Sequence, residues 1–229
     1  MGKLETVSRG STHPRRERSG TAYHNSSSTY GIGDAIIHTC MLRHLRPARL
    51  VEVGFGSSSA VALDTFDRFF VERPRCSFIE PYPAGLQSLW TPRDKGSVEI
   101  VTSCVQDVPL EYFDDLQGND LLFIDSTHVV KTGSDVQYEL FEILPRLRSG
   151  VVVHFHDVVF PFEYPAEWVL GRNYSWNEIY TLRAYLTGNQ DWEIMFFNDY
   201  FVRTERALVE RDAPEILSNP GGGLWLRRR

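Results

Sequence analysis

Two short apolar runs carry side chains that can do acid–base or metal chemistry. DLLFID (120–125) ends on Asp125, and His128 follows three residues later. VVVHFHD (151–157) ends on Asp157, with His154 and His156 just before it. Runs this short and this apolar predict buried strands. As neighbours in a parallel sheet they would bring their carboxyl ends to one edge. The two-residue spacing turns His154 and His156 to the same side. Three uses of such a corner are open on spacing alone. Asp125, His156 and Asp157 could hold a divalent metal, since mixed carboxylate and imidazole ligation suits Mg²⁺, Mn²⁺ or Fe²⁺. A histidine could act without metal as a base, because imidazole titrates near pH 6.5. Or the histidines could be core residues satisfied by nearby acids. His128 is expected to be the general base, with Asp125 and the His156–Asp157 pair orienting it or holding the metal, and His154 is a further catalytic candidate.

A second chemical signal lies upstream. LVEVGFGSS (50–58) sets Glu52, Gly54, Gly56 and Ser57 where a strand gives way to a helix. Glycines there allow a sharp turn and close approach of a ligand, and open parallel sheets bind ligands at such strand ends. Glu80 ends the following strand, RCSFIE (75–80), where an acid can accept both ribose hydroxyls. A dinucleotide fingerprint wants a third glycine three residues after the second, and that position is Ser59. An acid inside the motif suits a cationic amino-acid ligand better, so S-adenosylmethionine is the expected cofactor. A dinucleotide and a purely structural turn are the alternatives.

The elements that must position these groups can be traced by periodicity. Ala35, Ile36, Ile37, Met41, Leu42 and Leu45 recur at helical spacing before Pro47. Strand 50–54 follows, then a helix through Ala60, Leu63, Phe66 and Phe69, the strand at 75–80, a short helix over 83–90, and strands at 97–103 and 120–125. A helix over 134–148, the strand at 151–157, a helix over 175–187 and a strand at 192–198 complete the alternation. A loop rich in charge and proline leads to a short last strand at 221–227. Strands alternating with helices imply an α/β fold with a mostly parallel sheet covered on both faces. Residues 1–28 read as a flexible arm, and 29–229 as a single domain.

The 229 residues carry a net charge of −6, which disfavours a general nucleic-acid binder. No apolar run reaches the roughly 20 residues of a membrane span, and no signal-peptide core opens the chain, so a cytoplasmic protein is expected. Cys40, Cys76 and Cys104 are widely spaced and read as reduced core residues.

The E-x-G-x-G turn with Glu80 resembles class I S-adenosylmethionine-dependent methyltransferases. YGIGDA (30–35), VQDVPLEYF (105–113), FIDSTHVVKTGSD (123–135), FEILPRLRSGVVVHFHDVVFPFEYP (141–165) and WNEIYTLRAYL (176–186) are similar to a bacterial group within them. The resemblance implies a Rossmann-like seven-stranded sheet whose last strand is antiparallel and inserted beside the fifth and sixth. It implies that Glu52, Gly54, Gly56 and Ser57 meet the methionine part, Glu80 the ribose, and Val105, Gln106 and Asp107 the adenine edge. From the residues alone, Asp107 could equally cap a following helix. The segment around Tyr30, Gly31 and Asp34 would lie near the cofactor as a lid. Metal-dependent catechol-type O-methyltransferases are more distant relatives, with an Asp after the fourth strand, an acid–amide pair after the fifth, and a catalytic Lys three residues after the first Asp. Here Asp125 matches the first, His156–Asp157 falls at the pair, and His128 stands at the Lys position. VVFPFEYP (158–165), with Glu163 and Tyr164, and the helix start at Trp176, Asn177 and Tyr180 are candidates for an acceptor pocket or for packing. The expected function is methyl transfer to a small-molecule acceptor, on oxygen, with no nucleic-acid or membrane partner and with homo-oligomerisation left open. Metal-dependent non-methyl chemistry such as oxidation, or a non-catalytic binding subunit, are the alternatives.

Overall fold

The apolar runs do become strands, and their burial explains why. In a computed structural model of the chain, residues 30–83 and 96–229 are described. The N-terminal arm and nearly all of the short helix expected over 83–90 lie outside the described residues. Strands β1 (Arg49–Val53), β2 (Arg75–Ile79), β3 (Val98–Val101), β4 (Leu121–Ile124), β5 (Val152–His156), β6 (Trp192–Phe197) and β7 (Gly223–Arg228) form one sheet. Its order is β3-β2-β1-β4-β5-β7-β6. The first five pair in parallel, and β7 runs antiparallel between β5 and β6. That is the topology the resemblance implied. β4 and β5 are wholly buried, as continuous apolar runs covered on both faces must be.

Helices α1 (Ile32–Leu45) and α2 (Ser57–Phe69) pack on one face with Leu50, Phe78, Phe123 and Trp225. The other face is covered by α4 (Asp135–Tyr138), which continues as a π-helical turn over Glu139–Ile143, and by α5 (Glu178–Leu186). A short α3 (Glu111–Asp114) precedes β4, and its N-cap is Leu110, so Asp107 caps nothing there. Asp107 instead closes a 3-10 turn, Val105–Asp107. Two further helices, α6 (Asn198–Thr204) and α7 (Arg206–Asp212), with a 3-10 turn over Pro214–Leu217, occupy the stretch expected to be a loop. Ile36, Val202, Val209 and Ile216 form a small apolar cluster there. Charged residues hid that stripe, because only one narrow face of each short helix is apolar. Of the cysteines only Cys76 is buried. Cys104 is exposed rather than a core residue, and no disulfide occurs among the described residues. Among the described residues no helix is long and apolar enough to cross a membrane.

Candidate active site

β1 and β4 lie side by side in the centre of the sheet, with Val53 opposite Ile124 and Ile124 opposite Phe155. The residues that follow these positions therefore share one rim. Gly54 turns the chain after β1 with φ +84°, a left-handed conformation that side chains with a β-carbon resist. A β-carbon on Gly54 would sit 2.0 Å from the Asp125 carbonyl oxygen. At Gly56 the reason differs, since among the described residues nothing lies within 4 Å of an added β-carbon. Packing does not require that glycine, so open space lies over the turn. Glu52 is completely buried behind it and accepts a hydrogen bond from Ser58 Oγ at 2.5 Å. Its Oε2 has no partner among the described residues. Burial pushes the Glu52 carboxyl up to about 8, against the pull of Ser58 and Ser59.

Glu80 follows β2 and takes the Tyr82 backbone N–H on Oε1 at 2.8 Å. Gln106 donates to the Gly133 carbonyl at 3.1 Å, tying the turn after β3 to the loop after β4, while Asp107 is exposed. Asp34 lies in the first turn of α1 and accepts the Gly31 N–H at 3.2 Å, with Gly31 as N-cap. Burial raises the Asp34 carboxyl, and its Oδ1 has no partner among the described residues.

The acid–histidine corner forms at the ends of β4 and β5. His128 Nε2 lies 3.4 Å from Asp125 Oδ1 and 3.7 Å from Asp157 Oδ2. Ligand atoms of Asp125, His128 and Asp157 all lie within 4.8 Å of one another, an arrangement able to hold a metal ion. His128 Nδ1 is bound to Glu178 Oε2 at 2.8 Å, and both side chains are buried. Burial alone would lower the imidazole, but the Asp125 and Glu178 carboxylates push it up to about 11. Burial likewise works against ionised Asp125, yet His156 and His128 hold it below the usual carboxylate range. Trp176 packs on the His128 ring at 4.3 Å between centroids, with Tyr174 stacked behind it.

The other histidines sit deeper. His154 is packed between Phe123 at 4.2 Å and Trp225 at 4.3 Å, and burial holds it well below its usual range, hence neutral. His156 is buried beside Tyr30, and its Nε2 lies 3.6 Å from Asp157 Oδ1. Burial opposes its charge, but Asp125, Asp157 and Asp34 raise it to about 9. The structure thus brings His128, Asp125 and Asp157 together at the rim and keeps His154 in the layer below. His156 touches the corner through Asp157. Of the proposed acceptor residues, Tyr164 is buried and its hydroxyl takes the Ile179 N–H at 3.4 Å, whereas exposed Glu163 accepts from the Tyr180 hydroxyl. Sequence reasoning missed Glu178, because an acid at a helix start reads as a favourable partner of the helix dipole.

A family model described as a methyltransferase domain matches residues 51–158. That span contains the glycine turn, Glu80, Asp125, His128 and Asp157. An uncharacterized protein of Archaeoglobus fulgidus is 31% identical over 99 residues, covering 42% of this chain and 43% of that relative. The matching segment thus spans less than half of the relative's length. Among solved structures, the SAH-bound methyltransferase PaMTH1 of Podospora anserina has a TM-score of 0.53 at 15% identity, covering 85% of this chain and 77% of that one. The SAM complex of the O-methyltransferase TomG from Streptomyces achromogenes, involved in tomaymycin synthesis, has a TM-score of 0.51 at 17% identity, covering 99% and 87%. At these identities the likeness is one of fold.

Proposed function

We propose that this chain transfers a methyl group from S-adenosylmethionine to a hydroxyl oxygen of a small-molecule acceptor. The observation that carries the reading is the shared rim. The glycine turn of β1 touches Asp125, and Asp125 belongs to the His128–Asp157 corner. Two features of the rim suit the cofactor: open space over Gly56, and a buried Glu52 oxygen without a partner among the described residues. Glu52, Gly54, Gly56 and Ser57 hold the amino-acid part, Glu80 the ribose, and Val105, Gln106 and Asp107 the adenine edge. The cofactor supplies a sulfonium methyl that is already electrophilic. What the chain must add is alignment of the acceptor and removal of its proton.

Asp125 and Asp157 would hold a divalent cation, which would lower the pKa of the acceptor hydroxyl. His128 replaces His156 as the third group of the corner in this reading, since its Nε2 faces both carboxylates. In the cation-free protein the two carboxylates keep a proton on Nε2. With Nε2 free of its own proton, it accepts the proton of the acceptor hydroxyl. The methyl bond to sulfur breaks as the bond to oxygen forms, and the oxygen's proton ends on His128. Trp176, against the His128 ring, forms one wall for the acceptor. The reading is tested by calorimetric titration with S-adenosylmethionine. The wild-type protein should bind it, and Glu80→Ala should weaken binding at least about tenfold. No heat from the wild type, together with no effect at position 80, would overturn the proposal.

A further inference from the structure

His128 stands in the left-handed region at φ +59°, a conformation uncommon for residues with a β-carbon and one that histidine enters more readily than most. The start of α5 holds it there. The backbone N–H groups of Asn177 and Glu178 donate to the His128 carbonyl at 3.0 and 3.1 Å. The Asn177 side chain grips Val130 twice, accepting its N–H at 2.6 Å and donating to its carbonyl at 3.2 Å. The Glu178 carboxylate then reaches the ring itself at 2.8 Å, with only 1% of the residue exposed. Backbone, loop and ring are all fixed by two consecutive residues.

From this we infer that Glu178 is the positioning residue of the site, fixing the tautomer of His128 so that Nδ1 always bears hydrogen and Nε2 is the nitrogen that works at the Asp125–Asp157 corner. A carboxylate has no hydrogen to offer, so the nitrogen bound to it must be the donor. The same logic holds for the outer acids that orient metal-bound and catalytic imidazoles. The inference rests on the proposed role of His128, but its test does not depend on turnover or on metal.

The experiment is nitrogen NMR on the full chain labelled at histidine, at a pH high enough to leave one proton on the His128 ring. His128→Asn serves to assign the signal. Wild type should show a protonated Nδ1 and a bare Nε2. Glu178→Gln keeps an oxygen that accepts from Nδ1–H and should retain that pattern. Glu178→Met, similar in volume but without an acceptor, should move the proton to Nε2 while binding S-adenosylmethionine as the wild type does. A bare Nδ1 in the wild type overturns the inference, as does an unchanged ring in a folded Glu178→Met protein. If Glu178→Met does not fold, the wild-type and Glu178→Gln spectra decide alone. A manganese titration run alongside separates the two readings: wild type that binds no Mn²⁺ counts against the cation at Asp125 and Asp157, while the ring spectra still decide the role of Glu178.

Discussion

The α-carbon of Gly54 faces the carbonyl oxygen of Asp125 so closely that a β-carbon there would lie 2.0 Å from it. The turn that shapes the cofactor side of the rim is thus in direct contact with the residue that begins the acid–histidine corner. The two halves of the site cannot move independently.

Gly54→Ala therefore strains two things at once. The φ of +84° alone should cost about 1–3 kcal/mol, and the clash must also displace the Asp125 backbone. Thermal unfolding should show a clear loss of stability, and calorimetry a loss of S-adenosylmethionine binding. Gly56→Ala, with open space around it, should leave stability nearly unchanged while still weakening that binding. Equal destabilisation by both substitutions would contradict this account.

Glu52 makes stability depend on pH in a definite direction. Its carboxyl titrates near 4.5 when unfolded and at about 8 in the fold. Between these values the folded state binds the extra proton, so stability falls as pH rises from about 4.5 to about 8. The slope from this one group is about 1.4 kcal/mol per pH unit at most. Urea unfolding midpoints at pH 5 and pH 8 should differ less in Glu52→Gln than in wild type. His38 acts at the acid end. Burial lowers it from 6.5 to about 3, so stability is lost as pH falls across that range, and His38→Gln should reduce the loss.

His128→Ala should bind S-adenosylmethionine normally and lose about 10²- to 10⁴-fold in turnover once an acceptor is found. Full turnover would remove His128 from the mechanism.

Asp125→Asn and Asp157→Asn should each weaken Mn²⁺ binding at least about tenfold, measured by electron paramagnetic resonance of the free ion. His154→Gln, altering a side chain packed between Phe123 and Trp225, should leave Mn²⁺ binding unchanged and lower the melting temperature instead.

All seven strands were legible to within two residues at each end, the central ones because a strand buried on both faces is a continuous apolar run. The third strand was read three residues too long. Its neighbours Ser97 and Ser103 have strand-like residues beside them, but the ladder stops where the chain turns to form the Val105–Asp107 turn. The helix over 134–148 was read as uniform, yet it is α-helical only to Tyr138 and then widens into a π turn at Glu139. Periodicity cannot show that change, since the apolar face stays on the core. Within the candidate site, Asp125, His128 and Asp157 were legible as strand-end residues. The depth of His154 and the pairing of His128 with Glu178 were not, because fifty positions separate those partners and no pattern in either segment announces the other.

The antiparallel β7 has a bearing on how the protein is made. It pairs with β5 along its whole length, placing Gly223 opposite His156. Six strands precede it in the chain, so during synthesis β5 waits with an unpaired edge while α6, α7 and β6 emerge. Until β7 arrives, the backbone that carries Asp157 has a partner on one side only, and the exposed edge is a template for wrong pairing. The sheet beside Asp157 is therefore completed only by residues 223–228, far along the chain from β5.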